Sequence, residues 1–193
     1  MATPWFGTRR LLGPVLARAR AFGRDERGVT AIEFGILALP FFTIIFAIIQ
    51  TAIVFLVTQV LDSAVEDAAR RVRTGEAQGY TDTQFRDYMC GYTFNLISCN
   101  TTNLQIQSKI LSSGFSGASN SIPQTCTTST CTWTSGWGTY ASGSAGCRAV
   151  MQVTVYYRYP LLLVLPYFNL KNQPDNYRLL SAMRVFRNEP YNC

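Results

Sequence analysis

Histidine is absent from this 193-residue chain, and charge is sparse, with Asp, Glu, Lys and Arg making up 15% of the residues. Without histidine the commonest general base and the commonest metal ligand are missing, which excludes Ser-His and Cys-His nucleophiles and nearly all zinc sites. We therefore expect no enzyme activity, no metal and no cofactor. Redox pairing is missing too: none of Cys90, Cys99, Cys126, Cys131, Cys147 and Cys193 falls in a C-x-x-C pair, and no histidine is available to activate a thiol. What is present is an even set of six cysteines, all placed after a long apolar run. That placement suggests disulfides in an oxidising compartment; the bland alternative is free buried thiols acting as small hydrophobes.

The formal charge of +6 is unevenly placed. Residues 1–28 hold six Arg against Asp25 and Glu26, leaving eleven basic and nine acidic residues for all the rest. Basicity at one end suits a membrane-orienting segment and not a duplex-binding face, so we expect no nucleic-acid partner.

From Phe34 to Val57 run 24 residues without a charge, broken mainly by Thr43, Gln50 and Thr51. As a helix this is roughly 36 Å, against a hydrocarbon core of about 30 Å. It is too long for the apolar region of a secretory signal, which runs to about 15 residues. Arginines precede it, and Asp62, Glu66 and Asp67 are the first charges after it. The positive-inside rule then puts the N-terminus in the cytoplasm and the cysteines outside. Ala64, Ala68 and Ala69 with Glu66, Arg70, Arg71 and Arg73 continue a helical pattern until Gly75, and Pro40 should kink it. Three parts are expected: a basic cytoplasmic leader (1–28), a transmembrane and extended helix (29–75) and a disulfide-containing α+β domain (76–193).

Beyond Gly79, Thr81 and Gln84 read as a helix start, with Phe85, Tyr88 and Met89 on one face. Leu104, Ile106 and Ile110 alternate imperfectly, as in a strand. Residues 112–147 are rich in Ser, Thr and Gly and include Trp133 and Trp137; pinned loops or short edge strands are expected there, with the aromatics in a small core or on a binding surface. The clearest strand is 149–159, with Met151, Val153, Val155, Tyr157 and Tyr159 on one face and Gln152, Thr154, Tyr156 and Arg158 on the other. A further strand is expected over 178–187. Between them Leu161–Leu165, bounded by Pro160 and Pro166, is too short to cross a bilayer; core comes first, ahead of an interfacial patch or a partner contact. If the two strands pair antiparallel about centres near 154 and 182, residue 147 faces about 189. Cys193 can then reach Cys147; of the 15 connectivities that six cysteines allow, local pairing of the other four, Cys90 with Cys99 and Cys126 with Cys131, is expected beside it.

Glu33 lies directly against the apolar run, between Ile32 and Phe34. An unpaired buried carboxylate costs several kcal/mol, so it needs a cation or a place at the interface. The string Gly28-Val29-Thr30-Ala31-Ile32-Glu33-Phe34, following a basic leader, resembles the processing site of type IV prepilins. Arg27-Gly28, Ala31-Ile32-Glu33-Phe34 and Leu39-Pro40, with Phe186-Arg187-Asn188-Glu189-Pro190-Tyr191 near the end, resemble the TadE-like family of Flp/Tad pseudopilins; Phe34 stands where an aromatic, usually Tyr, is preferred. The resemblance implies cleavage by a prepilin peptidase between Gly28 and Val29, after which Glu33 neutralises the new Val29 amine of a neighbouring subunit. It also implies a pilin-like α+β fold in the bacterial inner membrane, with the sheet domain periplasmic, and other pilins and pseudopilins and the Tad assembly platform as partners. The function expected is that of a minor pseudopilin or pilus assembly protein. The competing reading is a permanently anchored adhesin or sensor whose outer domain binds a ligand. The segment 80–147 carries no part of the resemblance.

Overall fold

Helix α1 (Val29–Thr74) is built from two stretches with opposite burial. Before Gln50 none of its residues is buried, although nearly all are apolar; from Gln50 onward Val54, Val57, Leu61, Ala64, Val65, Ala68 and Val72 form a buried stripe at three- and four-residue spacing. Such spacing puts side chains on one helical face, so the second stretch packs as an amphipathic helix, whereas the first leaves its apolar side chains exposed or half-exposed. The computed structural model describes residues 28–77, 80–134, 148–164 and 168–190. The chain divides into two units, residues 1–46 and 47–193.

Termination of α1 follows from Gly75, whose φ of 82° is in the left-handed region where an added Cβ would be strained. The N–H groups of Gly75 and Ala77 donate to the carbonyls of Val72 and Arg71. Helix α2 (Asp82–Gly91) opens on a capping box in which Thr81 and Gln84 satisfy each other's backbone N–H. Phe85 and Met89 point into the core, and Tyr88 stays half-buried. Cys90, at the end of α2, is bridged to Cys99.

The main sheet has order β1 (Leu104–Ile110), β4 (Val150–Pro160), β5 (Tyr177–Arg187), all antiparallel. Val150 stands opposite Arg187 and Tyr159 opposite Arg178, one residue from the expected register. Leu104 and Ile106 of β1 are buried; Ile110 is not, because the strand ends there. Met151, Val153, Val155, Tyr157 and Tyr159 share one buried cluster with the α1 stripe and with Phe85 and Met89. The architecture is α+β: a long N-terminal apolar helix followed by a small antiparallel sheet domain with two disulfides among the described residues.

The opposite face of β4 is buried as well, which its polar residues alone do not foretell. The Ser/Thr-rich segment after β1 folds back over it: a short 3-10 turn (Gly114–Gly117), then the hairpin β2 (Gln124–Cys126) and β3 (Cys131–Trp133), closed by the Cys126–Cys131 bridge. These strands form a separate two-stranded sheet and do not extend the edge of the main one. Ser119 exchanges two hydrogen bonds with the Gln152 side chain, at 3.2 and 2.7 Å. Arg158 donates to the Cys131 carbonyl at 3.0 Å, pairs with Asp175, and lies over the Tyr177 ring. Gln152, Tyr156 and Arg158 of this face each find at least one partner, as burial requires, while the Arg158 Nε and one Asp175 carboxylate oxygen are buried without one. Trp133 is structural here: its indole N–H donates to the Thr102 carbonyl at 2.6 Å. Trp137 lies outside the described residues.

Leu161–Leu165 departs from expectation. Leu161 packs against the core, but Leu162, Leu163 and Val164 are exposed. Pro160 ends the ladder, the Leu161 N–H is taken by the Asn176 carbonyl, and the chain then turns away to meet α1 at Gln50. Leu165 is outside the described residues, as are Cys147 and Cys193, so the expected Cys147–Cys193 bridge falls there too.

Candidate processing and assembly site

Gly28 stands immediately before α1, and a Cβ built on it meets nothing within 4 Å. No packing among the described residues therefore demands a glycine at this position. Val29 opens the helix and Glu33 follows one turn later, both exposed, with Phe34 at 70% exposure. The spacing of four places Val29 and Glu33 on one face of α1. Among the described residues Glu33 makes no ion pair. The elements thus bring Gly28, Val29, Glu33 and Phe34 into one exposed helix start, a carboxylate within an apolar surface.

That surface continues through Ile36, Leu37, Leu39, Phe41, Phe42, Ile44 and Phe46, all exposed. Phe34, Leu37, Ala38, Phe41 and Phe42 line a shallow apolar cleft. The two threonine hydroxyls of the run are satisfied by the helix itself: Thr43 donates to the Leu39 carbonyl at 2.7 Å and Thr51 to that of Ala47 at 2.8 Å. Such back-bonding leaves no hydroxyl needing water, which suits hydrocarbon or a bundle of apolar helices. Pro40 is accommodated inside the helix.

The motif near the chain end has a separate job at the other end of α1. The Glu189 N–H donates to the Arg73 carbonyl at 3.0 Å, and its carboxylate lies 3.7 Å from the Arg73 guanidinium. Asn188 is buried; its N–H donates to the Ala149 carbonyl and its side-chain amide reaches the Met151 sulfur at 3.3 Å. Phe186-Arg187-Asn188-Glu189 therefore clasps the last turn of α1, capping a carbonyl that a helix end leaves without an internal partner.

Three further contacts carry no motif. Arg184 on β5 pairs with Asp62 at 2.6 Å and with Glu66, tying sheet to helix; these hydrogen bonds hold its guanidinium pKa above the ordinary value. Arg86, buried on α2, donates to the Leu104 carbonyl at 2.7 Å. Gln50 donates to the Leu163 carbonyl at 2.8 Å. Of these only Gln50 had a signal in the sequence, as an amide inside a charge-free apolar run, where a polar group demands a partner. Among the described residues no group of three or more His, Cys, Asp or Glu is placed to hold a metal ion.

Comparison with known proteins bears on the helix. The family model described as TadE-like protein matches residues 28–70. No curated protein and no solved structure matches the chain. The match begins at Gly28 and lies wholly before the sheet domain. By length and composition α1 is a candidate membrane span near the N-terminus and fits a single-pass membrane protein. Through this stretch the chain carries the TadE-like module of Tad pilus-associated proteins.

Proposed function

We propose that the protein is a minor pseudopilin, or pilus assembly protein, of the Flp/Tad type IV pilus system, cut by a prepilin peptidase between Gly28 and Val29. It acts by packing its apolar helix with those of other pilins and pseudopilins at the Tad assembly platform, and it performs no catalysis of its own. In this reading α1 crosses the bacterial inner membrane with its N-terminus cytoplasmic and the sheet domain periplasmic, in keeping with six leader arginines and acidic residues after the run. The observation that carries the proposal is an exposed apolar helix start bearing Glu33, in a stretch whose TadE-like match opens at Gly28. A carboxylate so placed is costly alone and favourable once a neighbour's Val29 amine pairs with it.

The test is the mature N-terminus. Intact mass and N-terminal sequencing of membrane-extracted protein should begin at Val29 in cells with an active prepilin peptidase. Because a Cβ at Gly28 meets nothing, Gly28→Val should fold normally and keep its leader, the branched side chain obstructing close backbone approach by the peptidase. Retention of Met1 by the unaltered protein under these conditions would leave the permanently anchored reading in its place.

A further inference from the structure

The connection between β4 and β5 leaves Leu162 exposed at 73%, with Leu163, Val164 and Phe168 exposed beside it in the chain. No charged residue occurs between Arg158 and Lys171. This apolar tip is tied to α1 at a definite level, because the Leu163 carbonyl accepts from Gln50. Gln50 is seven residues before Val57, where the apolar run of 24 residues from Phe34 gives way to Thr58 and Gln59. Seven residues of helix are about 10 Å, and the run exceeds a hydrocarbon core by about 6 Å, so with all the excess on this side Gln50 still lies roughly 4 Å beneath the boundary. Ile48, Ile49, Phe55 and Leu56 expose apolar surface on the same stretch of helix.

We propose that this connection is a second membrane contact: Leu162, Leu163, Val164 and Phe168 insert among the acyl chains of the bilayer that α1 crosses. The inference rests on the reading of α1 as a membrane span. Insertion is shallow, because irregular backbone tolerates hydrocarbon only where its polar groups are satisfied. Here the Leu161 N–H is held by Asn176 and the Leu163 carbonyl by Gln50. Gln50 acts as the pin, setting the depth of the tip against the helix and seating the sheet domain on the membrane surface.

Full-length protein reconstituted in vesicles of phosphatidylcholine brominated on its acyl chains tests both statements. Leu162→Trp adds a fluorophore at the tip, Phe46→Trp adds one on the apolar half of α1, and the unaltered protein supplies the baseline of its own tryptophans. Mass analysis of the Cys90–Cys99 and Cys126–Cys131 bridges verifies folding of each variant. Loss of the added emission in both variants, relative to unbrominated lipid, is the expected result. Loss at position 46 with none at position 162 overturns the insertion and leaves the span standing; no loss at either position removes the span and the insertion together. A tip unaffected by bromine, whose emission shifts to the blue as the protein-to-lipid ratio rises, assigns the surface to a second copy and overturns the lipid contact.

Discussion

Glu33 and Tyr156 show how one residue's meaning depends on what lies against it. Glu33 is exposed on an apolar surface, so its removal should cost the fold almost nothing. Glu33→Ala is expected to insert and fold normally yet impair piliation, with charge reversal worse, as counted by fibre yield and by membrane extraction. Normal piliation in Glu33→Leu would favour a carboxylate solvated at the interface and end the pairing account. Tyr156 sits on the buried polar face of β4, its hydroxyl 2.8 Å from the Asn120 side-chain oxygen and 2.9 Å from the Ser121 carbonyl. Tyr156→Phe should destabilise by about 1 kcal/mol, the net worth of one such hydrogen bond. Burial also pushes the Tyr156 pKa up. A raised pKa means the folded state holds the proton longer, so this stabilisation is complete below the unfolded value of about 10 and is lost as pH rises through the folded value. Denaturation against pH should therefore show an alkaline loss of stability that is smaller in Tyr156→Phe; identical alkaline limbs in the two proteins would refute the assignment.

At the scale of elements, α1 changes character along its length while remaining one helix. Its first stretch turns the Thr43 hydroxyl back onto its own backbone and has no buried residue; its second is held to the sheet by an apolar stripe, by Arg184 and by the Glu189 clasp. The apolar stripe dominates, since each fully buried Val or Leu contributes about 1.5–3 kcal/mol whereas a partly exposed ion pair gives at most about 1. Arg184→Ala is accordingly expected to lower stability by about 1 kcal/mol or less, and less at high salt, in denaturant titrations of detergent-solubilised protein. Leu61→Ala, at the centre of the stripe, should cost about 2–5 kcal/mol. A salt-independent loss at Arg184 equal to that at Leu61 would reverse this ranking. The elements most legible beforehand were those with strong local signals: the capping box of α2, the alternation of β4 and the Gly75 stop. The hairpin β2–β3 was legible only as pinned loops or short strands with a Cys126–Cys131 bridge, because two three-residue strands in a Ser/Thr-rich stretch give too little periodicity to place them.

For the whole molecule, the disulfides test how the described domain joins its end. The observed register places the Ala149 carbonyl against the Asn188 N–H, so the ends of β4 and β5 are neighbours as far as these residues. We therefore expect non-reducing peptide mapping to recover Cys147 linked to Cys193, alongside the two local pairs. Alkylation of Cys193 as a free thiol in oxidised protein would dismiss that link. What the residues determined by themselves were properties of single stretches: a charge-free run long enough to span, a carboxylate at its edge, an extended motif at each end, and one strand whose faces could be sorted. These depend on composition and on periods of 3.6 and 2, which are local. Tertiary structure alone decided which surfaces meet. It turned the polar face of β4 into a second buried face, because Ser119, Asn120 and Cys131 supply the partners that Gln152, Tyr156 and Arg158 require. It also took Leu162–Val164 out of the core that their composition suggested, because Gln50, more than a hundred residues earlier, offers the Leu163 carbonyl its hydrogen bond in the apolar stretch of α1. Long-range pairing of this kind has no period, and so it leaves no pattern in the chain that makes it.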